Sequence, residues 1–330
     1  MIRSSRSRAA LLSATISALL LGSAPTPVAA DTLDVVATIK PIHSLVAAVM
    51  EGVGHPRLLI DGAGSPHTFT LKPSDAKALN GARVVFRVSE SLEPFTVRLA
   101  RSLPKTVLLV TLEAVPGLTL YDLRTGGAFE GHTHSSKGGK HTHAHSHAPA
   151  KGKDAAAGTD GHIWLDPDNA KRIARHVAET LAKVAPAHAD RFQANARALD
   201  AKLDALAPEI EQRLRTAQAK PYVVFHDAYQ YFEQRFGLGP VASVTVSPDV
   251  SPSVRRLADL RAKIRELGAT CVFSEPQFEP KIVETVVEGT SVRRGVLDPL
   301  GAAIPAGPEH YFLLLRALAG SLQTCLDKPA

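Results

Sequence analysis

From Leu33 onward, short β-branched runs alternate with amphipathic stretches. Leu33–Thr38, Arg57–Asp61, Arg83–Val88 and Thr106–Leu112 read as strands, with helices at Ile42–Glu51, Ser74–Asn80 and Leu92–Ser102 between them. Strands separated by helices of this size mark βαβ units, which build parallel sheets. The alternation stops after Leu112 and resumes with a helix at Asp168–Val184. Pro186–Gln218 then reads as one long helix: Phe192, Leu199, Leu203, Leu206, Ile210 and Leu214 recur at helical spacing along one face. At 1.5 Å per residue it would reach about 50 Å, with Pro208 expected to bend or interrupt it. A second series follows, with strands at Tyr222–Phe225, Val241–Val246, Thr270–Phe273 and Arg294–Leu297. Its helices are Tyr229–Phe236, Ser253–Leu267, Lys281–Glu288 and Pro308–Leu326. The pattern predicts an α/β protein of two lobes, each a parallel sheet flanked by helices, with one long helix between them. The expected boundaries are residues 31–185 for the first lobe, 186–219 for the linking helix and 220–330 for the second lobe. Such folds bind ligands in the cleft outside the carboxyl ends of their strands.

The first thirty residues follow another logic. Arg3, Arg6 and Arg8 precede an apolar run from Ala9 to Gly22, and small residues lead to Ala30. That is the layout of a secretory signal peptide, too short in its apolar part to span a bilayer. Cleavage after Ala30 and a periplasmic or extracellular mature chain are expected. The formal charge of +6 and isoelectric point near 9.3 hint at nucleic acid. Without the three leader arginines, however, 35 basic residues face 32 acidic ones, so no nucleic-acid partner is expected. The 45% hydrophobic and 21% charged composition excludes wholesale disorder. Export also bears on Cys271 and Cys325, the only two cysteines. In an oxidising compartment they most simply pair, tying the Thr270–Phe273 strand to the C-terminal helix.

Histidine is the abnormal count: 14, of which His132, His134, His141, His143, His145 and His147 crowd into one segment. Three others have distinctive settings. His67 follows the strand ending at Asp61, His162 opens His-Ile-Trp-Leu-Asp-Pro, and His226 follows the strand Tyr222–Phe225 at its carboxyl end. Neutral imidazoles on rigid elements are good zinc ligands, although spacing alone does not establish a site.

Together these stretches resemble a family. Pro66-His67 with Leu71–Asp75, His162–Pro167, Phe225–Tyr229, Glu275-Pro276-Gln277 and Leu297–Gly301 are similar, in this order, to zinc-specific periplasmic solute-binding proteins of ABC transporters. The resemblance implies two α/β lobes joined by a rigid helix, metal held between them by His67, His162 and His226, and a Cys271–Cys325 disulfide. It further implies delivery of Zn2+ to an inner-membrane permease driven by a cytoplasmic ATPase, by a protein expected to be a monomer and not an enzyme. One position departs from part of the family, where an acidic residue precedes the first histidine; here it is Pro66. The fourth coordination place stays open between water and Asp298, with Glu275 as a further alternative. Manganese-binding relatives usually carry a carboxylate at the position of His226, so His226 argues for zinc.

Residues 131–161 hold no Val, Ile, Leu, Met or aromatic side chain and are expected to form a disordered loop. Its six histidines are expected to bind zinc weakly and exchangeably. Two rival functions use the same ingredients. A secreted zinc hydrolase also needs three histidines and an open position, but no His-Glu-x-x-His helix is present and Glu275 is the only obvious base. A periplasmic zinc buffer or metal-dependent adhesin would leave few sequence marks.

Overall fold

A computed structural model describes residues 33–124, 158–245 and 252–327. The leader at 1–30 and the six crowded histidines therefore lie outside the described residues. The first β-branched run becomes β1 (Val35–Ile39), buried at all five positions, as a strand covered on both faces must be. It pairs in parallel with β2 (Arg57–Ile60) and β3 (Val84–Arg87), and β4 (Leu108–Thr111) completes the order β2-β1-β3-β4. The second lobe repeats this plan with β5 (Tyr222–His226), β6 (Ala242–Thr245), β7 (Cys271–Ser274) and β8 (Arg293–Val296). Their order is β6-β5-β7-β8, again all parallel.

The first lobe's helices are α1 (Lys40–Val49), α2 (Pro73–Gly81) and α3 (Phe95–Ser102). α1 starts two residues earlier than the sequence pattern suggests, with Pro41 in its first turn, where a missing N–H costs nothing. α3 starts later than expected. The buried Glu93 carboxylate takes the Val88 and Ser89 N–H groups at 2.6 and 3.2 Å, holding 88–93 as a turn, and Pro94 follows. After a one-turn 3-10 helix at Ile163–Leu165 comes α4 (Pro167–Val184), capped by Asp166 accepting from the Asp168 N–H.

The long helix α5 spans Ala189–Leu214, 26 residues or about 39 Å, shorter than the expected 33. Its first predicted turn, Pro186–His188, is a separate 3-10 turn. Pro208 does not interrupt it: Pro208 and Asp204, whose carbonyl loses its helical donor, both lie on the exposed face. The second lobe's helices are α6 (Gln230–Phe236), α7 (Val254–Glu266), α8 (Lys281–Val287) and α9 (His310–Leu326).

The larger apolar core does not respect the lobes. It runs from Leu45 of α1 and Val85 of β3 through Ile173 of α4 and Leu206 of α5 to Leu315 of α9 and Tyr222 of β5. A smaller core, with Val223, Val272, Leu260 and Ile264, fills the other face of the second sheet. The expected disulfide is present: Cys271 of β7 is bonded to Cys325 near the end of α9. Polar bonds also cross between lobes. Lys40 Nζ of α1 donates to the Ala302 and Ile304 carbonyls at 2.8 and 3.1 Å, and Ser44 Oγ donates to Pro308 O at 3.0 Å. No helix among the described residues is long and apolar enough to cross a membrane.

Candidate metal centre

The three histidines singled out from the sequence meet. His67 lies on the loop after β2, His162 immediately before the Ile163–Leu165 turn, and His226 is the last residue of β5. One nitrogen from each falls within a group whose members are all within 4.8 Å of one another. Ring centroids are separated by 5.5 Å (His67–His162), 5.6 Å (His67–His226) and 5.2 Å (His162–His226).

Two carboxylates fix the rings. Asp160 Oδ1 accepts from His162 Nδ1 at 2.7 Å and from its backbone N–H at 3.0 Å. Glu275 Oε1 accepts from His226 Nδ1 at 2.8 Å. Both carboxyls are almost fully buried. Because each Nδ1 must supply a proton to its carboxylate, each Nε2 is left with its lone pair directed at the cavity. Those two Nε2 atoms stand 3.3 Å apart. Nitrogens each bonded to one tetrahedral zinc at 2.0–2.1 Å would also be about 3.3 Å apart. Two facing lone pairs repel unless a cation or a proton lies between them. His67 Nε2 is buried without a hydrogen-bond partner, as an atom reserved for a ligand would be.

The protonation tendencies differ around the ring of histidines. His67 is held well below 6.5, first by burial and then by the like charges of His162 and His226. Burial also acts to lower His226, but the charge and hydrogen bond of Glu275, backed by Asp227 and Asp160, outweigh it and raise the group above 6.5. His67 is thus a neutral donor at pH 7, whereas His226 holds its proton to a higher pH than an ordinary imidazole.

The cavity is small, about 10 Å³, enough for one water-sized occupant. Ser65, Pro66, Trp164, Gln277, Phe278, Pro299 and Leu300 help to line it. Trp164 Nε1 donates to Pro299 O at 2.9 Å, joining the two walls. At Gly161, beside His162, an added Cβ would come within 3.0 Å of Leu92, so glycine allows this segment its close approach.

Asp298 stands apart from the three-nitrogen group. Its Oδ1 accepts from Gln277 Nε2 and the Leu300 and Gly301 N–H groups at 2.7, 3.0 and 2.9 Å, and Oδ2 accepts from Ala302 N–H at 2.6 Å. Its visible work is to hold the 298–302 turn. Glu275 is committed through Oε1 to His226. His43 of α1 donates from Nε2 to Pro56 O at 3.0 Å.

Asp160 was not legible as a site residue, because it falls at the end of the polar stretch expected to be a loop. Residues 158–161 are ordered: Asp122 bridges Thr159 antiparallel, Leu123 N–H donates to Gly158 O, and Asp160 N–H donates to Tyr121 O. The available signal was a carboxylate two residues ahead of a candidate ligand.

Two parallel-sheet lobes spanned by a long helix, with three histidines converging on one small cavity, have the architecture of two-lobed solute-binding proteins. Comparison with known proteins narrows that class. The chain belongs to the family described as zinc-uptake complex component A, periplasmic, whose model matches residues 35–325. It is 46% identical over 324 residues to the high-affinity zinc uptake system protein ZnuA of Brucella suis, covering 94% of this chain and 97% of that protein. The ZnuA protein of Yersinia pestis is 34% identical over 311 residues, covering 94% and 95%. Among solved structures, the periplasmic zinc binding protein TroA of Treponema pallidum superposes with a TM-score of 0.73 at 21% identity, over 89% of this chain and 99% of that one. The last likeness speaks to the fold.

Proposed function

We propose that the protein is a periplasmic capture protein for Zn2+, which it holds through His67, His162 and His226 and delivers to an ABC permease powered by a cytoplasmic ATPase. One observation carries the assignment: the Nε2 atoms of His162 and His226, each turned inward by a buried carboxylate, stand at the separation of two ligands on one tetrahedral ion. The names of the similar proteins support zinc as cargo and uptake as purpose. The fourth place goes to water, since neither Asp298 nor Glu275 joins the three-nitrogen group. All three histidines come from one chain, which suits a monomer.

Capture without bond-breaking chemistry fits the cavity better than hydrolysis does. A space of about 10 Å³ is the size of one ion or water molecule. Residues 1–30 act as the export leader, cleaved after Ala30. Residues 31–185 and 220–330 form the lobes and 186–219 the linking helix. The histidine-rich stretch, with His132, His134, His141, His143, His145 and His147, gathers zinc weakly near the cleft. Because ligation needs neutral imidazole, binding weakens in acid, beginning above pH 6.5, where His226 takes up its proton.

Calorimetric titration of Zn2+ and Mn2+ into the mature protein tests the assignment, with His67→Ala, His162→Ala and His226→Ala alongside. Tight zinc binding should be lost in each variant. Undiminished tight binding in all three would defeat it.

A further inference from the structure

Arg124 stands immediately before the histidine-rich insertion, and its guanidinium reaches into the second lobe. Its Nε donates to Asp227 Oδ2 at 2.8 Å, its Nη2 donates to Asp227 Oδ1, and the same Nη2 donates to Glu233 Oε2 at 2.8 Å. Both carboxylates are buried, and Glu233 is further held by Tyr222 OH at 3.2 Å. Asp227 directly follows His226. On its other side, Arg124 continues the strand-like stem in which Asp122 pairs with Thr159 and Tyr121 O accepts from the Asp160 N–H. Asp160 is the carboxylate that aims His162. α6 reinforces this junction: Gln230 Nε2 donates to Asp122 O at 3.2 Å, and Tyr231 OH donates to Asp160 O at 2.8 Å.

Resting on the zinc-site reading above, we propose that Arg124 is a positioning residue for the metal centre. One guanidinium sets the distance between His226, through Asp227, and His162, through the paired stem and Asp160. These two histidines come from different lobes, and their Nε2 atoms are the pair standing 3.3 Å apart. A fork bonded to two buried carboxylates defines that separation in a way that a single ammonium, without the planar fork, does not. The role is geometric and not electrostatic. A positive charge near a cation site weakens binding, so if charge were all that Arg124 supplied, its removal would tighten zinc.

The opposite signs make the test decisive. Zinc affinity by chelator competition, and the visible absorption of Co2+ bound in its place, are measured on the mature chain for wild type, Arg124→Lys, Arg124→Met and His162→Ala. Positioning predicts that Arg124→Lys, with its charge kept, weakens zinc about tenfold or more, the usual scale for partners of metal histidines. The Co2+ bands should also change as the tetrahedral geometry loosens, a response that a general loss of stability would not produce. Arg124→Met should weaken zinc as well. Wild-type affinity and spectrum in Arg124→Lys would overturn the inference, as would tighter binding by Arg124→Met. If Arg124→Met fails to fold, Arg124→Lys decides alone. His162→Ala separates the two levels: if it binds zinc as tightly as wild type, the site assignment itself falls, whereas loss there beside an unchanged Arg124→Lys removes only the role of Arg124.

Discussion

Glu275→Gln isolates the part of zinc affinity that comes from a charge. The amide oxygen of glutamine can still accept from His226 Nδ1, where Glu275 Oε1 now accepts at 2.8 Å, so the ring keeps its tautomer and direction. What disappears is the negative charge that lifts His226 above 6.5. A unit charge at about 4 Å and an effective dielectric near 20 is worth up to about 4 kcal/mol, a ceiling of about three pKa units. Replacing partners of metal histidines typically costs about 10- to 100-fold in affinity, or about 1.4–2.7 kcal/mol, which includes relaxation around the site. We expect a loss of that size at pH 8.5, measured by chelator competition at one-unit steps down to pH 5.5. The gap should narrow toward acid. Wild-type His226, with its raised pKa, surrenders metal to protons first, and the variant loses proton and zinc affinity together. A constant offset at every pH would refute the claim that Glu275 sets the basicity of His226. No offset at any pH would show the bond to be incidental.

Other expectations concern other parts of the molecule. Burial pushes Glu93 up to about 7 from an ordinary 4.5, so ionising it in the fold costs about 3 kcal/mol that is absent below pH 4.5 and fully felt well above 7. Glu93→Gln can keep the acceptor for Val88 and Ser89; urea unfolding should find it more stable than wild type at pH 8 and nearly equal at pH 4.5. Replacing both Cys271 and Cys325 by Ser should cost about 4 kcal/mol of unfolding free energy for a 54-residue separation, with zinc affinity unchanged in the folded protein. Trp164, the single tryptophan, lies 5.3 Å from the His162 ring, so its fluorescence should change on adding Zn2+ to wild type and stay flat in His162→Ala. Deleting residues 131–156 should leave one tight site by titration. Extending the deletion to 161 removes Asp160 and should weaken it at least tenfold.

That last contrast shows where sequence reading stopped. Periodicity reports burial, and it located each strand and helix to within a few residues. It located His226 well because a strand end is a local feature. It could not see that Asp160 belongs to the site, because composition assigned the whole polar run to a loop, while the stem 121–124 and 158–160 is made by pairing across the insertion. Partners are chosen at long range: Glu275 is 49 residues from His226, and Arg124 is 103 residues from Asp227. No repeat or spacing encodes those pairs. Pro208 marks the converse limit, since its local rule held but the exposed face of α5 let the helix absorb it.

The fold also limits how the proposed capture can proceed. A hinge between two independent lobes would require the segments joining them to be free, yet the main core is shared by both, with α9 of the chain's end packed against α1 and α5. The wall carrying Pro299 and Leu300 is bonded across the cleft by Trp164 Nε1, and the chain just beyond it by Lys40 and Ser44. Tyr311 OH, donating to Trp164 O at 2.7 Å, adds a strut from α9 to the histidine-bearing segment. Opening the cavity by moving whole lobes would break buried hydrogen bonds at several of these points at once, each worth about 1 kcal/mol net and more if its partner is left unpaired. Exchange of a bare ion asks for much less. His67, on a loop and only partly buried, is the one ligand without a carboxylate holding it. Movement of that single ring is the expected route for the ion, because Asp160 and Glu275 keep the other two rings aimed. In the proposed site two histidines are held by carboxylates and the third by none, so exchange is expected to depend on His67 more than on any movement of the lobes.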